Sequence, residues 1–172
     1  MPIYALGDSE PTIDPTAYVH PDAVVIGAVT IGAESSIWPG AVLRGDDGSI
    51  VIGARTSVQD NTVVHTTPMH PTIIGDDCVI GHAAHLEACT IQSGCLVGSG
   101  SIVLHRVVVE TGAMVAANAV VLNGTVVPAG ALAAGVPAKI REGAARSEEI
   151  AYGVAAYRAK AERFRQELRR IG

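Results

Sequence analysis

The sequence predicts an all-β chain, a left-handed parallel β-helix built from six-residue repeats and followed by a C-terminal α-helix. Three observations predict it. Aliphatic residues recur every six positions over more than a hundred residues, a small side chain follows nearly every one of them four residues later, and the period changes after Pro137. Internal periodicity is the first thing to establish, because a missed repeat misassigns the whole fold.

The first series runs Ile13, Val19, Val25, Ile31, Ile37 and Leu43. It resumes at Ile52, Val58 and Val64, then at Ile74, Ile80 and Leu86, and finally from Ile91 through Val97, Val103, Val109, Val115 and Val121 to Val127. The small residues include Ala17, Ala23, Ser35, Ala41, Thr56, Thr62, Cys78, Ala84, Cys95, Ser101, Ala113, Ala119 and Ala131. An amphipathic helix repeats at three and four residues and a half-buried strand at two, so neither produces a period of six. A triangular coil does: each hexad is a short strand plus a corner, three hexads close a turn, and turns stack at the strand spacing of about 4.8 Å. Only 3% of the 172 residues are aromatic, which suits a narrow prism filled by aliphatic side chains.

Register breaks in a solenoid become loops on one face. The long steps from Leu43 to Ile52 and from Val64 to Ile74 place Asp46, Asp47 and Gly48 in one loop and Thr66 to Pro71 in another, while Leu86 to Ile91 is one residue short. The β-helix is expected over residues 1–140. Beyond it, in residues 141–172, Ile150, Val154, Tyr157, Ala161, Phe164 and Leu168 share a helical spacing, with Ser147 placed to cap the helix. This helix is expected to pack along the prism or over its end.

Composition narrows the partners. A formal net charge of -5 argues against the basic surface that nucleic acid requires. Every apolar run is broken well before the roughly 18 residues of a membrane span, and no leader pattern opens the chain, so a soluble cytoplasmic protein is expected. Cys78, Cys89 and Cys95 are odd in number and lack CxxC spacing, so they read as small buried residues.

Counting by coils brings polar residues into two columns. Arg44, His65 and Glu87 each follow an inward residue by one on one face, and Asp60 and His82 stack at a neighbouring corner. One prism keeps these columns apart. Three prisms packed face to corner let Arg44 meet Asp60 and His65 meet His82, giving three equivalent sites in a homotrimer. Converging imidazoles suit Zn²⁺ or Fe²⁺, and a catalytic site needs about three protein ligands. His85 and Glu87 alternate with Leu86, so both point outward on the His65 face, and either could be the third ligand. The plainer alternative is a set of polar interface residues bonded across subunits.

Several segments resemble the gamma-class carbonic anhydrases and the similar hexapeptide proteins of phenylacetate and carnitine pathways. They are Arg44-Gly45-Asp46, Val58-Gln59-Asp60-Asn61, Val63-Val64-His65, Ile80-Gly81-His82, Val97-Gly98-Ser99-Gly100 and Ala134-Gly135-Val136-Pro137-Ala138-Lys139, spread over roughly residues 10 to 160. The resemblance implies a trimer with zinc or iron at each interface, catalysing reversible hydration of CO₂ to bicarbonate. It places His65 and His82 at two of three histidine-ligand positions, Gln59 where a residue aims the reacting hydroxide, Asn61 in the same catalytic motif, and Arg44 with Asp60 as an intersubunit ion pair. The third histidine position holds Glu87. Two other readings carry the same repeats: a hexapeptide acyltransferase using acyl-CoA with a histidine base, and a non-catalytic metal-binding or scaffold protein.

Overall fold

The computed structural model describes residues 2–172. It is a parallel β-solenoid of about seven turns with a single C-terminal helix. All three inward columns expected from the period are present. On the first face Val25, Leu43, Val64, Leu86, Val103 and Val121 are in register. Ile13, Ile31, Ile52, Ile74, Ile91, Val109 and Val127 form the second. The third runs Val19, Ile37, Val58, Ile80, Val97 and Val115, ending on Ala133. Nearly every member is fully buried, and burying such a side chain stabilises the fold by about 1.5–3 kcal/mol each.

The small residues line the corners for a physical reason. The prism is narrow there, and several of them bond the backbone of the next coil: Ser35 Oγ donates to the Gly53 carbonyl at 2.6 Å and Thr56 Oγ1 to the Gly75 carbonyl at 2.7 Å. Cys78 and Cys95 continue this column, and all three cysteines are free and buried. The following corner requires a left-handed residue in each coil. Gly40, Asn61, Ala83, Gly100 and Asn118 all adopt positive φ there, and glycine and asparagine tolerate that conformation best.

Of the two expected loops, one changes and one holds. Asp46, Asp47 and Gly48 do not sit in a loop; they belong to the continuous strand Val42–Ile52, which pairs with Val24–Ile31 through a register shift between Gly27 and Val29. These two long strands join two prism faces into one sheet. The extra residues, Asp46 to Ser49, are accommodated at this bulge-like shift and have no partner in the ladder. The second insertion is a tight loop, closed by bonds between Thr67 and His70.

The helix α1 spans Ser147–Glu167 and packs along the third face. Its N-cap is Arg146 rather than Ser147, with no capping side chain; Glu148 and Glu149 in the first turn complement the helix dipole instead. Tyr157, Ala161 and Phe164 pack on Tyr18 and Trp38, while Leu168 lies past the helix end and is half exposed. Gly153 allows this approach, since a Cβ there would stand 3.0 Å from Val79 Cγ2. Strand Lys139–Arg141 turns back antiparallel on Leu132–Ala134 at the last coil. Among the described residues, no helix is long and apolar enough to cross a membrane.

Candidate metal centre

Both polar columns exist. Arg44 pairs in register with His65, and His65 with Glu87. Asp60 and His82 stack one coil apart at the corner that opens this face, and His82 Nδ1 lies 2.8 Å from Asp60 Oδ2. The two columns therefore stand at opposite ends of one face.

His65 ends strand Val63–His65 and points outward, 15% exposed. Its backbone carbonyl accepts from buried Thr72, whose hydroxyl oxygen also accepts the Ala88 N–H at 2.8 Å. This threonine ties His65 to the short hexad of the next coil. The ring lies between two carboxylates, with Nε2 3.0 Å from Asp46 Oδ1 and Nδ1 3.0 Å from Glu87 Oε1. A neutral imidazole has one N–H, so a cation or a second proton is needed to satisfy both contacts. Asp46 also binds Arg44, and Asp46, Asp47 and His65 already hold donor atoms within 4.8 Å of one another. Burial pushes the Asp46 carboxyl up, but its bonds with His65 and Arg44 outweigh this and hold it below the usual range.

Glu87 gathers three imidazoles. Besides His65, its Oε2 lies 3.3 Å from His85 Nε2 and 3.4 Å from His105 Nε2. Burial raises its carboxyl, and His65, His105 and His85 together bring it below the ordinary value. His105 was not singled out by the sequence, because it falls outside the two columns. The short hexad could have revealed it, since that step changes which corner residues meet.

At the other column, Asp60 accepts the Nδ1 proton of His82 and fixes the tautomer whose Nε2 carries the lone pair. The Tyr157 hydroxyl of α1 lies 3.2 Å from that Nε2. Burial, then the Asp60 charge, pushes the Tyr157 phenol up. This contact was invisible to sequence counting, which could not place the helix on a face.

Gln59 is 3% exposed and its side-chain amide has no hydrogen-bond partner among the described residues. Asn61 has a structural duty: its Oδ1 occupies the space a Cβ on Gly40 would fill, and Asn118 does the same over Gly100 at the same corner, two coils beyond His82. In the single chain Arg44 bonds Asp46, and Asp60 bonds His82.

The stacked hexads and the outward histidines define a hexapeptide-repeat β-solenoid protein. No family model matches the chain. It is similar to the mitochondrial gamma carbonic anhydrase 1 of Arabidopsis thaliana, 46% identical over 108 residues, which is 59% of this chain and 39% of that protein. It is similar to a carbonic anhydrase of Geobacillus kaustophilus, 38% identical over 107 residues, 62% of this chain and 59% of that one. The chain thus spans less than two thirds of either relative. Among solved structures it matches a hexapeptide transferase family protein from Anaplasma phagocytophilum with a TM-score of 0.91 and 39% identity, covering 95% of this chain and 98% of that one. The chain belongs to the hexapeptide-repeat family that takes in the gamma carbonic anhydrases and the hexapeptide transferases.

Proposed function

We propose that this chain is a gamma-carbonic-anhydrase-like metalloenzyme that interconverts CO₂ and bicarbonate at sites between the subunits of a homotrimer. One observation carries the reading. His65 and Glu87 stand side by side in one column, while His82 stands in another with its tautomer fixed by Asp60, so a neighbouring chain is needed to close the set.

The donor set fits the metal the family implies. Two imidazoles and one carboxylate are an established catalytic combination for Zn²⁺ and leave a position open for water. Neutral imidazole and carboxylate also suit Fe²⁺. His65 and Glu87 would hold the ion from one chain and the partner subunit's His82 from the other, with His85 as the alternative to Glu87. Such an ion would supply Lewis acidity, lowering the pKa of a bound water toward about 7.

The chain's own residues do the rest. Asp60 keeps the Nδ1 proton of His82 in place, so that Nε2 faces outward as a donor. The free amide of buried Gln59 is available to orient the reacting oxygen. Arg44 would turn from Asp46 to pair across the interface with the partner subunit's Asp60, through the carboxylate oxygen that the bond to His82 leaves free. Asp46, Asp47 and His70 lie on the inserted segments, where a proton could leave toward solvent.

Metal analysis and a CO₂ hydration assay on the wild type and His82→Ala test this. Loss of metal and activity together supports the proposal; both unchanged would overturn it. The likeness to a hexapeptide transferase supports a second reading, acyl transfer from acyl-CoA. A clustered set of imidazoles exceeds what one general base requires. Saturable acetyl-CoA binding without CO₂ hydration would favour it.

A further inference from the structure

We propose that Tyr4 seats in a socket on the neighbouring chain, formed where the tail beyond α1 crosses the corner at His20, Pro21 and Asp22, and that this contact locks the trimer three coils below His65. The inference rests on the trimer reading above, because it extends the same face-to-corner packing toward the N-terminal end of the prism.

Register decides which residues meet. The column of Arg44, His65 and Glu87 runs on through Ile26 to Tyr4, one residue per coil. The opposing corner has four residues between its flanking strands in each of these coils, so Pro21, Pro39, Asp60 and His82 stack in the same way. Coils repeat at about 4.8 Å in every prism. When His65 meets the partner subunit's His82, and Arg44 the partner subunit's Asp60, the next coil sets Ile26 against the partner subunit's Pro39. The coil after that sets Tyr4 against the partner subunit's Pro21. The polar pairs thus give way to two apolar ones.

Both sides suit this contact. Tyr4 is 53% exposed in the single chain, a large ring on the outside of the prism. Pro21 lines a cavity of about 340 Å³ with His20, Asp22, Leu168, Arg169 and Arg170. The His20 side chain is only 10% exposed, and its Nδ1 accepts the Asp22 N–H at 3.1 Å. The proton of the neutral ring therefore sits on Nε2, and an incoming hydroxyl supplies an acceptor for it. Guanidinium groups stack on aromatic faces, and a tyrosine brings an apolar ring with a polar tip to such a seat.

Charge agrees with shape. Just after Tyr4 the chain makes a hairpin closed by bonds between Leu6 and Ser9, and Asp8 and Glu10 are exposed there. Arg169 and Arg170 stand at the socket and outnumber Asp22. Opposite charges across an interface steer association and fix its register. The apolar flanks also match, with Leu6 49% exposed on one side and Leu168 48% on the other.

Sedimentation equilibrium of the zinc-loaded protein over a range of concentrations tests the contact. Tyr4→Ala is expected to raise the concentration at which the trimer dissociates by at least about 10-fold, as for an aromatic anchor. Tyr152→Ala, more exposed still on α1, should leave it unchanged. Arg169→Glu with Arg170→Glu should weaken the trimer, and adding Asp8→Arg and Glu10→Arg should restore it. All these side chains are exposed in the single chain, so an unchanged circular dichroism spectrum separates a lost contact from a lost fold. A wild-type trimer indifferent to Tyr4→Ala, or a tail reversal that has no effect or that the exchange fails to rescue, overturns this inference and leaves the interface reading standing. A wild-type protein that is monomeric at every concentration overturns both.

Discussion

His82 donates its Nδ1 proton to Asp60 across one coil, at 2.8 Å, and this bond decides which nitrogen is free for a ligand. Partners of this kind orient metal-binding imidazoles, and their loss costs roughly 10–100-fold in metal affinity. Asp60→Asn is therefore expected to weaken zinc binding by about that factor. Competition against a chromophoric chelator checks it, and an unchanged affinity would remove Asp60 from the site.

The other nitrogen of His82 faces the Tyr157 hydroxyl at 3.2 Å, a contact that an incoming ion must displace. A neutral hydrogen bond is worth about 0.5–1.5 kcal/mol net. Tyr157→Phe keeps the ring that packs on Trp38 and is expected to raise zinc affinity by roughly 2–10-fold. The same chelator titration measures it.

Glu87 stands where the related family has a histidine, and it binds three imidazoles in this chain. Glu87→Ala is expected to lower metal affinity by more than the roughly 100-fold upper range for an outer partner. Glu87→His should retain the ion at the interface. Metal content of the two variants separates these outcomes.

Arg55 bonds Asp77 twice, at 2.7 Å each, between successive coils. The Arg55 bonds outweigh burial and hold the Asp77 carboxyl below its usual value near 3.8. Because the folded value is the lower one, the pair contributes stability fully above about pH 4, and the contribution is lost as pH falls through the folded value. Asp77→Asn should flatten that acid limb in urea unfolding between pH 5 and 2, as an expected few tenths to about 1 kcal/mol for a partly exposed pair. An acid limb as steep as the wild type's would remove Asp77 from it.

Leu86 is fully buried between Val64 and Val103, so Leu86→Ala should cost about 2–5 kcal/mol in urea unfolding. Tyr152, 78% exposed on the helix, should change stability by within about 0.5 kcal/mol when replaced by alanine.

Most of the fold was legible because one geometric rule acts on every residue. A six-residue coil sends each inward side chain onto the one above it, so the columns through Leu43, Val58 and Ile74 follow from counting alone. The stacking of Asp60 under His82, and of His65 under Glu87, follows from the same count. What counting could not supply were contacts set by departures from the rule. Asp46 meets His65 because the insertion runs on as one bulged strand, Val42–Ile52, instead of looping out. His105 meets Glu87 because a corner residue is missing. Tyr157 meets His82 because aromatic packing, not periodicity, seats the helix. Ser147 fails as a cap because the helix begins one residue earlier than the sequence pattern suggests. Asn61 shows the converse: its motif suggested chemistry, while its left-handed φ and its repetition at Asn118 give it a corner to hold.

The central claim is that a metal ion joins two chains through His65 and Glu87 of one and the partner subunit's His82. Anomalous X-ray diffraction at the zinc edge, on crystals of the zinc-loaded protein, measures this directly. The account predicts a peak within bonding distance of His65 and of the neighbouring chain's imidazole at each interface of a trimer. A monomer, or an interface with no peak between those two side chains, would contradict it.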